Sequence, residues 1–360
     1  MRVGILTFHN AYNYGAVLQT YATQELVKSM GHEVEIIDYH NARIDRMYDK
    51  RKFHLKEFFK STYKFPLYLL EKYFFWRRRL AYNKFNKNCL QCSRNKYYQG
   101  DVISIKDYDA VLIGSDQVWN KRLTGGLDAV YWGNFESSSF TRIVAWSVCM
   151  NNMDFTESEL KEIKNYLSNF TAISVREEAL QGFISKLIGK RVLHTLDPTF
   201  LLPSTKWELL CHPVKEDDYI AVYAIRKADE TINFARKISS ALNKKLIIIR
   251  PYSRWYFSCE NKEYCGPNDF LSYIKNASYV VTSSFHGTVF SLIFKRQFFC
   301  PALDVNLRVE DLLKTVGLSD RFVRGWEDAL SLSPINYDTL PAALEVKKNE
   351  TLSFLSNALG

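Results

Sequence analysis

One imidazole stands among the small residues of Ser283-Ser284-Phe285-His286-Gly287-Thr288, and from Asn276 to Phe294 no carboxylate, lysine or arginine accompanies it. Before it, Tyr279–Thr282 is a short apolar, β-branched run of the kind that fills a buried parallel strand. After it, Thr288–Phe294 reads as an apolar helix. A strand–turn–helix unit sets its turn at the carboxyl end of the strand. Open α/β sheets take ligands at that edge, and the free N–H groups of a helix start attract anions there. His286 is thus placed to give a proton beside an anion, whose charge would favour the protonated ring. Ser283, Ser284, Gly287 and Thr288 are the matching anion contacts. The plainer alternative is a histidine that only shapes its turn by hydrogen bonding.

Other turns repeat the pattern. Phe8–Gly15 follows the buried-strand run Arg2–Thr7 and places Asn10, Asn13 and Gly15 where a first βα loop faces a ligand, although asparagine also shapes turns unaided. Gly114–Asn120 follows Asp109–Ile113 and offers Ser115 and Asp116, the latter to orient a hydroxyl, act as a base or cap a helix. Arg176 comes directly after Ala172–Val175, where its planar fork suits a carboxylate or phosphate; pairing with Glu177 or Glu178 is the alternative. Asn306 and Arg308 precede a helix expected over Val309–Val316.

These residues need a scaffold of alternating strands and helices. The spacing predicts a helix over Ala16–Met30 ended by Gly31, a strand over Glu33–Tyr39, a strand over Ile143–Val148 and a helix over Thr156–Leu167. The proline-rich His194–Pro203 reads as a connection between domains. A second βα series follows, with strands over Tyr219–Ala224 and Lys245–Ile249 and helices over Thr231–Leu242 and Asn268–Lys275. The dinucleotide glycine fingerprint is missing from the first βα turn, which argues against a nicotinamide or flavin.

At 360 residues the chain is long enough for two cores, and 47% hydrophobic residues with 15 glycines fit a globular α/β protein. No run has the apolar length of a membrane span, and the first residues read as a strand entering a turn, so the expected location is cytoplasmic. Seven scattered cysteines fit a reducing compartment, and Cys89-x-x-Cys92 lacks a second half for zinc. No metal is expected. The net charge of +9 is local: residues 43–100 hold 16 Lys/Arg against 4 Asp/Glu, a net +12, and the remainder of the chain is at −3. Aromatics interleave those cations, Phe53, Phe58, Phe59, Tyr63, Phe65, Tyr68, Tyr73, Phe74, Phe75 and Trp76 preceding Arg77-Arg78-Arg79. Such a segment is a self-packed helical insertion, a peripheral contact with the inner face of an anionic membrane, or, least expected, a nucleic-acid contact.

Taken together, Asn13-Tyr14-Gly15-Ala16, Gly114-Ser115-Asp116-Gln117-Val118-Trp119-Asn120, Ser174-Val175-Arg176-Glu177, Asp197-Pro198-Thr199, Ser284-Phe285-His286-Gly287-Thr288 and Asn306-x-Arg308 resemble the polysaccharide pyruvyl transferase family. The resemblance spans about residues 2 to 320 and leaves the basic segment outside. It implies an α/β fold of two Rossmann-like domains facing across a cleft, similar to GT-B glycosyltransferases: residues 1–203 on the acceptor side with 43–100 as an insertion, and 204–335 on the donor side. A C-terminal helix in 336–360 could cross back. It further implies transfer of the pyruvyl group of phosphoenolpyruvate, a co-substrate, onto two hydroxyls of a sugar in a cell-surface polysaccharide or its lipid-linked precursor, with no other cofactor. By the resemblance His286 corresponds to the catalytic histidine and Arg176 to a donor-binding arginine. Members of the family can carry an arginine two residues before the histidine; this chain has Ser284 there, and Arg308 is the candidate replacement cation. Two rivals stay open. A glycosyltransferase of the same architecture would use a nucleotide-sugar, and a non-catalytic module would bind membrane or nucleic acid through 43–100.

Overall fold

A computed structural model describes residues 1–48, 65–137, 140–225, 227–249 and 265–360. In chain order the first part contains β1 (Arg2–Leu6), α1 (Tyr14–Ser29), β2 (Glu33–His40), α2 (Ala42–Tyr48), α3 (Phe65–Cys89), β3 (Cys92–Tyr98), β4 (Ala110–Gly114), α4 (Lys121–Thr124), β5 (Arg142–Val148), α5 (Glu157–Leu167), β6 (Ala172–Val175), α6 (Glu178–Ile188) and β7 (Leu193–His194). After the 3-10 turn Pro198–Leu201 come α7 (Ser204–Glu208), β8 (Tyr219–Tyr223), α8 (Ala228–Leu242), β9 (Lys245–Ile249), α9 (Pro267–Asn276), β10 (Tyr279–Thr282), α10 (Phe285–Ile293) and β11 (Gln297–Pro301). The chain ends with α11 (Leu307–Thr315), β12 (Phe322–Val323), α12 (Trp326–Ser331) and α13 (Pro341–Leu359).

Two compact units result, one of residues 1–50, 86–202 and 345–360, the other of 51–85 and 203–344. The first holds a seven-stranded sheet in the order β3-β2-β1-β4-β5-β6-β7, the second a five-stranded sheet in the order β12-β11-β10-β8-β9. Every paired strand among the described residues runs parallel. Parallel sheets take helices on both faces, so their inner strands are apolar throughout. Accordingly β4 (Ala-Val-Leu-Ile-Gly) and β8 (Tyr-Ile-Ala-Val-Tyr) are buried at every position. The order reverses between β1 and β4 in one sheet and between β8 and β10 in the other, and ligand crevices open at the carboxyl ends of strands at such reversals.

Several boundaries differ from the sequence expectation, each for a local reason. Helix α1 begins at Tyr14, because Asn13 caps it by accepting from Ala16 N at 3.3 Å. Gly15 therefore lies in the first helical turn and not in the loop. Helix α10 begins at Phe285, which draws His286 and Gly287 out of the expected turn into the helix. Segment 43–100 is not one helical insertion of the first domain. It supplies β3, an edge strand exposed at most positions, which pairs with β2, whereas residues 51–85 group with the second unit. One helical face of α3 explains that grouping: Arg78, Tyr82 and Phe85 are buried, and Ala81 packs so tightly on Gly266 that a Cβ there would meet it at 2.6 Å. Phe53, Phe58, Phe59 and Tyr63 lie outside the described residues. The end of α13 belongs to the first unit, where Phe354 stacks on Trp146 at 6.1 Å and Thr351 Oγ1 accepts from Leu196 N at 3.1 Å.

Candidate functional site

In the second unit, β10 lies between β8 and β11, and its carboxyl end carries the imidazole. Thr282 closes the strand. Its buried Oγ1 donates to Tyr223 O at 2.5 Å and accepts from Ser284 N at 3.1 Å, which turns the chain into α10. Helix and strand end approach so closely that a Cβ on Gly287 would stand 2.1 Å from Thr282 Oγ1. Only glycine fits there, and its absence of a side chain lets the first helical turn sit on the strand. Thr288 N and Oγ1 both bond to Ser284 O at 3.1 Å, and Thr288 Oγ1 lies 3.2 Å from Cys300 Sγ, a thiol pushed up to about 12 by burial. Ser284 and Thr288 are buried; the Thr288 hydroxyl holds the turn, whereas the Ser284 side chain makes no cap hydrogen bond.

His286 occupies the second position of α10 with 7% of its surface exposed. Its ring meets Phe285 edge-on at 5.2 Å, and the Arg308 guanidinium lies 5.8 Å from the centre of that same Phe285 ring. Asn306, next to Arg308, donates from Nδ2 to Ser283 O at 3.0 Å and so ties the start of α11 to the turn after β10. Ser283 and Asn306 line a cavity of about 10 Å³ together with Lys227, Pro301 and Asp304. That is room for a single water. Lys227 was not foreseen; it is exposed, follows β8 across the strand reversal from β10, and lies 3.6 Å from Glu230. A lone lysine after a strand carries no spacing signal, and only the sheet order brings it here.

The remaining expected residues belong to the first unit. Arg176 is 6% exposed, donates from Nε to Ser147 O at 3.0 Å and is ion-paired with Asp197, itself 1% exposed. Burial alone would lower the Arg176 pKa, but Asp197, together with Cys149, Asp116 and Glu177, more than offsets it and raises it. The sequence expected an anionic donor, or Glu177 or Glu178, as its partner. Glu177 instead accepts from Met150 N at 3.3 Å. Asp197 spends its other oxygen on Thr199, accepting from N at 2.9 Å and Oγ1 at 2.6 Å. The Asp-Pro-Thr run signals such a capped turn, but nothing in the sequence names Arg176 as its partner. Ser115 is fully buried and donates to Ser147 O at 3.3 Å, so it meets Arg176 at one carbonyl and does not present its hydroxyl to solvent. Asp116 is half-buried and accepts from Gln117 N at 2.7 Å.

Asn10 enters a network that the sequence reading missed. Its amide nitrogen is 2.8 Å from His40 Nδ1 and 3.2 Å from Asp45 Oδ1. Asp38 Oδ1 meets His9 Nε2 at 3.0 Å and His40 Nε2 at 2.8 Å, with Lys96 at 3.4 Å from its other oxygen. Burial works against the Asp38 charge, yet the hydrogen bonds from His40 and His9 outweigh it and hold the carboxyl well below the usual range. Hydrogen bonds to Asp38 and Asp45 push His40 up to about 9. The exposed Tyr98 ring stacks on His40 at 5.3 Å. Alternation along Asp38-Tyr39-His40 puts Asp38 and His40 on one face of β2, which was the available signal. Among the described residues no group of three or more His, Cys, Asp or Glu side chains is placed to hold a metal ion.

The model of one protein family, described as polysaccharide pyruvyl transferase, matches residues 13–303. No curated protein sequence matches the chain. Among solved structures, it is similar to the UDP-GlcNAc 2-epimerase of Methanocaldococcus jannaschii, at 12% identity over 97% of this chain and 93% of that one, with a TM-score of 0.49. The Neisseria meningitidis UDP-GlcNAc 2-epimerase bound to UDP-GlcNAc is similar at 8% identity over 100% and 99%, with a TM-score of 0.48. The spinosyn rhamnosyltransferase SpnG follows at 10% identity over 100% and 96%, with a TM-score of 0.42.

Proposed function

The chain belongs to the polysaccharide pyruvyl transferase family, and from that premise we propose that it moves the pyruvyl group of phosphoenolpyruvate onto two hydroxyls of one sugar. The observation that supports this reading is the start of α10: an imidazole in the first helical turn after a central strand, with Arg308 reaching the same aromatic ring from α11. Phosphoenolpyruvate brings a carboxylate and a phosphate, which need cations and helix N–H groups. Arg308 and Lys227 supply the charge, and Asn306 fixes the turn that receives it. The 10 Å³ cavity has to widen for the donor, so binding shifts the Ser283 and Asn306 loops.

In the proposed reaction His286 gives its proton to the methylene carbon, and C2 becomes an oxocarbenium-like centre. A sugar hydroxyl attacks C2 and loses its proton, forming the first C–O bond. The C2–O bond to phosphate then breaks, phosphate leaves with the electron pair, and the second hydroxyl adds to C2 to close the ketal. One hydroxyl proton restores His286 and the other leaves with the released phosphate. Nothing is oxidised or reduced, and the scheme needs no cofactor besides the donor. Asn10 and Asp116 are the acceptor-reading side chains of the first unit, whereas Arg176, paired with Asp197, fixes the segment after β6. A cytoplasmic site fits a phosphoenolpyruvate donor.

The test is a phosphate-release assay with phosphoenolpyruvate over a panel of galactose and aminosugar acceptors, with mass analysis of the product. The reading predicts phosphate and a pyruvylated sugar with no nucleotide consumed. Glycosyl transfer from a nucleotide-sugar, with phosphoenolpyruvate untouched, would overturn it.

A further inference from the structure

Helix α3 has two faces of opposite character. Arg78, Tyr82 and Phe85, spaced by four and three residues, form its buried face, with Arg78 Nη2 3.5 Å from Tyr82 Oη. On the far side Leu69, Tyr73, Trp76 and Leu80 follow one another at spacings of four, three and four. They are exposed by 50, 46, 53 and 44% respectively. A single exposed leucine needs no explanation, but an apolar stripe of about three helical turns does. Helical geometry puts Lys72 and Arg79 along one margin of the stripe and Arg77 and Lys84 along the other. Arg77 Nη1 donates to Tyr73 Oη at 3.1 Å and its guanidinium lies 5.8 Å from that ring's centre, so its stem runs beside the stripe. Glu71 is the one acid in this helix. No described helix is long and apolar enough to cross a membrane.

We propose that this face docks on an anionic lipid bilayer, the stripe entering the acyl boundary and the marginal cations meeting the headgroups. Charge complementarity selects that occupant. A second copy would set the same cations against one another. A nucleic-acid strand would find stacking surfaces at Tyr73 and Trp76 but hydrocarbon at Leu69 and Leu80, which favour lipid. The inference is independent of the donor and of the reaction, and it gives an acceptor carried on a lipid a reason to meet the protein.

Deleting 43–100 would remove β3 and damage the first sheet, so the test uses exposed point substitutions. The full chain is sedimented with vesicles of phosphatidylglycerol and phosphatidylcholine, and with phosphatidylcholine alone. Binding should need phosphatidylglycerol, weaken with salt, and fall by at least about tenfold in Trp76→Glu/Leu80→Glu. Arg77→Glu/Lys84→Glu should also weaken it by about tenfold or more. Unchanged melting of both double variants shows that they fold. Equal vesicle binding by wild type and variants, or none by wild type at low salt, overturns the proposal. So does a concentration-dependent dimer, or an oligonucleotide complex, that the same substitutions abolish while vesicles stay unbound.

Discussion

At the scale of single residues, the strongest internal commitment is the pair formed by Arg176 and Asp197. Two buried charges stabilise a fold only while both are present, because removing one leaves the other desolvated. Asp197→Ala should therefore cost about 3–5 kcal/mol in urea unfolding of the full chain. Arg176→Met/Asp197→Leu should recover most of that loss, since neither charge remains to be solvated. A loss of only a few tenths in Asp197→Ala would show that the guanidinium is neutralised elsewhere. The sequence made Arg176 visible because an arginine follows an apolar strand. It hid Asp197 because the pair spans β6 and β7, joined by the register of Val175 with His194, and such pairing has no signature in either segment alone.

Two junctions carry the argument at the scale of elements. Where β10 meets α10, Gly287→Ala would drive a Cβ into Thr282, whose β-branched side chain is buried and hydrogen-bonded and cannot yield. The overpacking should cost about 1–3 kcal/mol in urea unfolding and draw His286 out of place; unchanged stability and turnover would show that the junction is loose. Where β1 meets β2, His40 is faced by Asp38, Asp45, Asn10 and Tyr98, with His9 and Lys96 on the far side of Asp38. A folded pKa of about 9 lies above the ordinary 6.5, so this contribution to stability is complete below about pH 6.5 and is lost as pH rises through about 9. Asp38 has the opposite sign: its depressed pKa stabilises above the ordinary 3.8 and fails as pH falls through the lower folded value. The Asp38–His40 hydrogen bond enters both shifts and is counted once, while Asp45 adds to the one and His9 to the other. Thermal melts should fall from pH 6.5 to 9 in the wild type and flatten in His40→Asn; parallel profiles would contradict this.

At the scale of the whole molecule, two parallel α/β units were legible because buried strands and polar turns alternate along both halves. The apolar strand and the small polar residues leading into α10 were legible, but the helix boundary was not. Thr282 Oγ1 accepts from Ser284 N two residues on, a local contact that a string of small polar residues does not single out. Strand β3 was hidden because an exposed edge strand has no apolar alternation, and Cys92–Tyr98 reads as one more polar stretch of the basic segment. Lys227 was hidden because only the order of β8 beside β10 brings it to the turn. The proposed reaction rests on a proton delivered by His286 from the second sheet's carboxyl edge. The most direct test is phosphate release from phosphoenolpyruvate, in the presence of a sugar that the wild type converts, by His286→Ala. The account predicts a fall in kcat of about 10²–10⁴-fold with the melting temperature kept; near-full turnover by that variant would contradict it.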